Sequence, residues 1–272
     1  MDTRFRSTKP LHFSIPISLL IIASGIYGIF FKSAYSQETH LMAVQGVAQD
    51  LANLILAVPS LMAGAFLIRR GSIRGIFIWL GAALYVFYTF VVYCFAVHFN
   101  SFFLVYCAVL GLTFYSIISL LLSVDLSAIK NSFAENKSNN VSVYFLIVIS
   151  VLFFLIWMKA IIPALASGEP PQELREDGLL TNPVHVLDLS FFLPGIFTSG
   201  ILLKKKKPLG YLFAPSLITF STMMLLTICA LIIGMKVGGM ASDITMLIIL
   251  MVVVLISCLV LINLMRTIKK YS

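Results

Sequence analysis

Asn182-Pro183-Val184-His185-Val186-Leu187-Asp188 is the segment of this chain best equipped for chemistry. His185 and Asp188 stand three residues apart, a spacing that puts both on one face of a helix. Imidazole titrates near neutral pH and a paired carboxylate holds its charge, so the pair suits proton coupling or acid–base work. Pro183 fits a first helical position, where its missing N–H costs nothing. Leu-Ser-Phe-Phe-Leu follows Asp188, so the carboxylate dips into apolar surroundings. A charge there is expensive and usually points into a bundle or a wet cavity. The plain alternative is that Asp188 caps the helix start.

Similar residues recur elsewhere. Asp50 and Asn53 repeat the three-residue spacing, with Gln49 close to the same face. His98 and Asn100 lie in a short polar turn, Lys159 near the end of an apolar stretch, and Asp243 at the start of another. Asp243 reads as an N-cap, and Lys159 also fits a side chain that snorkels to the interface. Asp50, Asn53, His98, Asn100, Lys159, His185 and Asp188 form the candidate ligand-binding set, drawn from five helices at one membrane depth. Tyr85, Tyr88, Tyr93, Tyr106 and Tyr115 are candidates to line the same pocket or to anchor at the interface. His98, His185, Asp188 and Asp50 carry donors that suit zinc. They come from separate stretches without an HExxH or a cysteine pair, so no metal is assigned. No GxSxG, Walker loop or dinucleotide fingerprint occurs, and neither a catalytic set nor a cofactor is assigned.

The elements that must position these residues are apolar. The chain has 272 residues, of which 60% are hydrophobic and 11% charged; soluble domains carry roughly 25% charge. Eight stretches, at 12–32, 46–68, 74–97, 101–123, 141–163, 185–203, 209–234 and 242–265, each approach the ~20 residues that cross the hydrocarbon core. Their non-alternating Leu/Ile/Val/Phe runs favour helices over barrel strands. The expected fold is an all-α integral membrane bundle of eight transmembrane helices in a single membrane domain, 1–272.

Charge sorts the loops. All of the 19 basic residues except Lys32, Lys159, Arg175 and Lys236 fall in the termini and in alternate connections. Basic residues stay cytoplasmic, which places both termini and the loop 124–140 inside, and the acid-rich loop 164–184 outside. The net charge of +8 therefore orients the protein and does not imply nucleic acid. The loop 124–140 reads as a flexible connector, and 164–184 as a solvated connector or a short lid. Residues 1–36 have a rival reading as a signal peptide ending near Ala34-Tyr35-Ser36, against which the long apolar run and Lys32 argue. The cysteines lie in apolar stretches and read as small hydrophobes.

Laying Pro59 over Pro194 brings Arg69-Arg70 opposite Lys204-Lys205, Gly75 opposite Gly210, Asn53 opposite Asp188 and Asp50 opposite His185. Two parallel four-helix repeats, 12–123 and 141–266, are expected, related by an axis along the membrane normal.

Phe99–Tyr106, Asn182–Asp188 and Lys207-Pro208-Leu-Gly210 through Pro215 resemble segments of a group of prokaryotic multi-pass membrane proteins without a known activity. The resemblance implies a prokaryotic cytoplasmic membrane and no function. The residues themselves point to an extracytoplasmic-facing polar pocket for a small polar solute or ion. The alternatives are a sensor or subunit acting through a membrane partner, and an embedded enzyme using His185 and Asp188.

Overall fold

The computed structural model describes residues 9–134 and 139–269. Residues 1–8, 135–138 and 270–272, which carry several of the basic residues that sort the loops, lie outside the described residues. No strand forms among those described, and eight helices are long and apolar enough to cross a membrane. They are α1 (Lys9–Phe30), α2 (His40–Arg69), α3 (Ile73–Ala96), α4 (Phe103–Ser123), α5 (Asn140–Ser167), α6 (Pro183–Lys204), α7 (Pro208–Val237) and α8 (Ile244–Arg266). The chain is an all-α, multi-pass membrane protein.

Burial ranks the helices. In α3, 72% of the most apolar window is buried and in α7 56%, against 17% in α5 and 22% in α8. Thus α3 and α7 form the centre, and α5 and α8 turn most of their surface to lipid. Gly81 permits the central crossing: a Cβ there would sit 2.6 Å from the Ser216 carbonyl oxygen and the Thr219 side chain. Small residues allow such close backbone approach in membranes, where packing replaces the hydrophobic effect.

The same local geometry occurs twice. In the register that lays Pro59 over Pro194, α2 and α6 each contain a π-helical turn, Asn53–Ala57 and Asp188–Phe192, followed by α-helix ending at Arg69 and Lys204. The prolines supply a cause: each lacks an N–H and crowds the preceding turn, so the hydrogen-bond ladder widens ahead of it. Both helices end in a left-handed residue, Gly71 (φ 79°) and Lys206 (φ 54°). Ser72 N–H donates to the Leu67 carbonyl at 2.9 Å, and Lys207 N–H to that of Leu202, also at 2.9 Å. Gly75 and Gly210 then press against the preceding helix; a Cβ on either would overlap the backbone nitrogen of Ile68 or Leu203.

Packing follows the same register. Within the first four helices, α1 packs on α2 and α4, and α3 on α2 and α4. In the last four, α5 packs on α6 and α8, and α7 on α6 and α8. Between the sets, α3 meets α7, α2 meets α7 and α3 meets α6. Gly81 and Ser216, which touch at the central crossing, are register equivalents.

The 124–140 segment departs from the flexible connector read in the sequence. Asp125 caps a short helix, Leu126–Asn131, through the Ser127 and Ala128 N–H groups at 2.9 and 3.0 Å. Ile129 and Phe133 are buried, and Phe133 pairs with Ile268 as an antiparallel bridge. Apolar side chains spaced between the polar ones fold this stretch back under the bundle.

Candidate functional site

A cavity of about 370 Å³ opens among α2, α3, α5, α6 and α7 at the end of the bundle that carries the acidic loops. Its mouth is formed by Glu38, Asp177 and Asn182, and it descends to Phe220 and Ser221 near the middle of α7. Several wall residues are register partners facing one another from α3 and α7: Thr89 and Met224, Val92 and Thr227, Tyr93 and Ile228, Ala96 and Leu231. Gln49 on α2 and Val184 on α6 are another such pair. The chamber therefore takes residues of matching register from α3 and α7 and from α2 and α6.

Most of the wall is apolar, including Ile149, Phe153, Phe192 and Leu225, so the polar pocket expected from the sequence is instead an apolar chamber with a few polar points. This is the usual composition of a small-molecule site.

Of the seven candidate residues, Asp188 alone lines the chamber. It is partly buried, and its Oδ2 accepts a 2.8 Å hydrogen bond from Trp157 Nε1 on α5. The buried Tyr88 hydroxyl lies close to this carboxylate without completing a hydrogen bond, and the buried Ser221 hydroxyl is likewise unpartnered. Asp188 does not cap its helix. That role belongs to Asn182, whose side-chain oxygen accepts from the Val184 N–H at 2.9 Å.

His185 does not pair with Asp188, which corrects the proton-coupling expectation. Trp157 takes both neighbours instead: its ring packs on the imidazole at 4.4 Å while its N–H serves the carboxylate. His185 is buried outside the chamber wall, and its Nε2 has no hydrogen-bond partner.

Asp50 and Asn53 lie one layer behind the wall. Asp50 is 1% exposed and receives the hydroxyls of Tyr35 at 2.7 Å and Tyr93 at 2.8 Å. Gly28 makes room for it, because a Cβ at that position would overlap the carboxylate. Burial first, and the Asp50 charge second, push the Tyr35 pKa up, so this phenol stays a proton donor. Asn53 Oδ1 accepts from Gln49 Nε2 at 3.1 Å and from the Tyr85 hydroxyl at 3.2 Å. With the Tyr85 proton spent there, Thr227 donates to the Tyr85 oxygen at 2.8 Å. Tyr35, Tyr93, Gln49 and Thr227 line the chamber and seal these two residues from it.

The remaining three candidates do not converge on the chamber. His98 is 47% exposed on its side chain, and its N–H and Nδ1 hold the Glu38 carboxylate at 2.7 and 3.0 Å. Asn100 braces its own turn, donating to the Ala34 carbonyl at 3.1 Å and accepting from the Phe102 N–H at 2.9 Å. Lys159 is exposed. A polar residue at the right depth faces the chamber only if its helix phase allows it, and that phase was not readable for these positions.

The sequence reading also missed Glu38, Trp157, Asp177 and Ser221. Glu38 and Asp177 appeared as ordinary loop acids. Their loops fold inward: the short helix Gln172–Asp177 and Leu179 cover the mouth, and Gly178 approaches Thr39. The pKa of Asp177 is raised by burial first, then by Glu173 and Glu176.

Asp243 is an N-cap, accepting from the Met246 N–H at 3.1 Å. Among the described residues no three His, Cys, Asp or Glu side chains gather as a metal site. The chain matches no family model, no curated protein and no solved structure.

Proposed function

We propose that this protein binds, and carries across the membrane, a small solute taken up at its acidic face, which we read as extracytoplasmic from the basic character of the other face. The chain is taken to be two parallel four-helix repeats, with the chamber at their interface. The observation that carries the reading is the position of that chamber: lined by two helices interrupted by π-turns, α2 and α6, with the Asp188 carboxylate at its depth. Solute sites in repeat-built transporters lie at the repeat interface near the bilayer midplane, beside irregular helices. The resemblance to prokaryotic membrane proteins favours a cytoplasmic membrane of that type.

The test is a thermal-stability screen of purified protein in lipid nanodiscs against a panel of small solutes. A ligand of the chamber raises the melting temperature by mass action. The shift should vanish in Ser221→Trp, which fills the chamber. A panel without shifts, or shifts that survive Ser221→Trp, overturns the proposal.

A second reading, a subunit acting through a membrane partner, draws on an apolar groove of about 1020 Å³ between α3, α4, α6 and α7. Gly195 lies open there with no atom within 4 Å of a Cβ position. Co-purification of a stoichiometric membrane partner that is lost on Gly195→Trp supports it; an unaccompanied chain counts against it.

A further inference from the structure

We propose that the chamber selects an organic cation: an amine or quaternary ammonium carrying an apolar, preferably aromatic, body. This rests on the reading of the chamber as a ligand site.

Charge comes first. Asp177 stands at the mouth and Asp188 at depth, Glu38 is held by His98 beside them, and no Lys, Arg or His lines the wall itself. The mouth is flanked by Glu173 and Glu176 of the covering helix. A cleft lined by one sign of charge concentrates ligands of the other sign.

Hydrogen-bonding capacity points the same way. Four of the donors at the wall are committed to the protein. Trp157 Nε1 serves Asp188, the Tyr35 and Tyr93 hydroxyls serve Asp50, and Gln49 Nε2 serves Asn53 and Tyr85. The Tyr88 hydroxyl stands close to the Asp188 carboxylate, and the Tyr88 and Ser221 hydroxyls are buried at 2% and 6% exposure. These hydroxyls both donate and accept, so the sign of the ligand is set by the carboxylate. An anion would meet no cation in the wall, whereas an ammonium group meets the Asp188 carboxylate and two hydroxyl oxygens.

The walls define the rest of the ligand. Tyr88, Tyr93, Trp157, Phe153, Phe192 and Phe220 bring aromatic rings around the acid. Aromatic faces attract organic cations, most strongly where water is excluded. A bare metal ion does not fit this lining. Hard cations need six or more oxygens at close range, and a chamber of about 370 Å³ with mainly apolar walls does not supply them.

The experiment uses two ions of one shape and opposite charge, tetraphenylphosphonium and tetraphenylborate. Binding is measured by equilibrium dialysis to the full chain in nanodiscs of zwitterionic lipid, against empty nanodiscs. The expected result is saturable binding of the cation, with the anion at least about tenfold weaker. Loss of one charge-assisted contact in Asp188→Asn should weaken the cation roughly tenfold or more. Asp188→Glu should recover part of that loss. Equal or tighter binding of the anion overturns the cation inference, as does wild-type binding of the cation by folded Asp188→Asn. The ligand-site reading survives either result if Ser221→Trp abolishes the binding that is seen. Binding of neither ion also overturns the cation inference. Reaction of Ser221→Cys with a neutral, water-soluble maleimide, in a chain whose Cys94, Cys107, Cys229 and Cys258 are replaced by Ala, then tells the two claims apart: a reactive thiol keeps the chamber, and an unreactive one in the folded protein removes both.

Discussion

The π-turn of α2 and the π-turn of α6 are built alike and used differently. Both begin with a short polar side chain, Asn53 or Asp188, and both end just ahead of a proline. In α2 the polar residue is locked into a network with Gln49, Tyr85 and Thr227, and the acid one turn earlier, Asp50, is held by two tyrosines. In α6 the counterpart of Asp50 is His185, and the acid has moved to the π-turn itself, where it faces the chamber with a single donor. One scaffold position is therefore sealed into the structure in one half and faces the chamber in the other. The number of donors around each acid distinguishes the roles better than its burial does. A carboxylate whose oxygens are both engaged by the protein belongs to the fold, and one with an oxygen to spare is open to a guest.

The largest expected effect tests what the halves share. Gly75→Leu and Gly210→Leu should each cost about 3 kcal/mol or more, since each drives a side chain into the backbone of the preceding helix. Folded yield and thermal unfolding in detergent would check this; tolerance of one substitution but not the other would break the equivalence. Asp50→Ala comes next. It strands the Tyr35 and Tyr93 hydroxyls and should cost about 2–4 kcal/mol, while Asp50→Asn should cost less. Asp188→Ala removes only the Trp157 hydrogen bond and should lower stability by about 1 kcal/mol. A loss equal to that of Asp50→Ala would dissolve the distinction between fold acid and site acid.

The smallest effect concerns the covering loop, which has no counterpart in the first half. Asp177 has a raised pKa when docked, so the docked state binds its proton more tightly than the free loop does. Docking gains stability as pH falls through that raised value, the gain is complete below the ordinary carboxylate range, and it is lost as pH rises again. Protection factors at 172–179, taken relative to the unfolded-chain rate at each pH, should rise modestly on acidification and lose that rise in Asp177→Asn. Protection that falls at low pH would reverse the assignment.

The number and limits of the helices were legible because apolar length and hydropathy determine them almost alone. The register around the two prolines was also legible, since Arg69-Arg70, Gly75 and their counterparts carry it in residue type. The site was legible only in part. Asp188 stood out as an acid within an apolar run. The inference that His185 shares its role assumed an unbroken helix and an empty neighbourhood, and Trp157 from α5 occupies that neighbourhood. His98 and Asn100 had the right residue types, yet their bonds tie the α3–α4 turn to the α1–α2 connection through Glu38 and Ala34. Glu38 gave no local signal, because its burial depends on a partner sixty residues away.

The π-turn also sets direction. A helix advances about 100° per residue, so one surplus residue in a turn re-aims the whole segment on its far side. Each proline places that turn at the same distance ahead of it in α2 and in α6. Restoring the α-helical ladder at either proline would turn Asp50 and Asn53, or His185 and Asp188, away from the partners that now hold them.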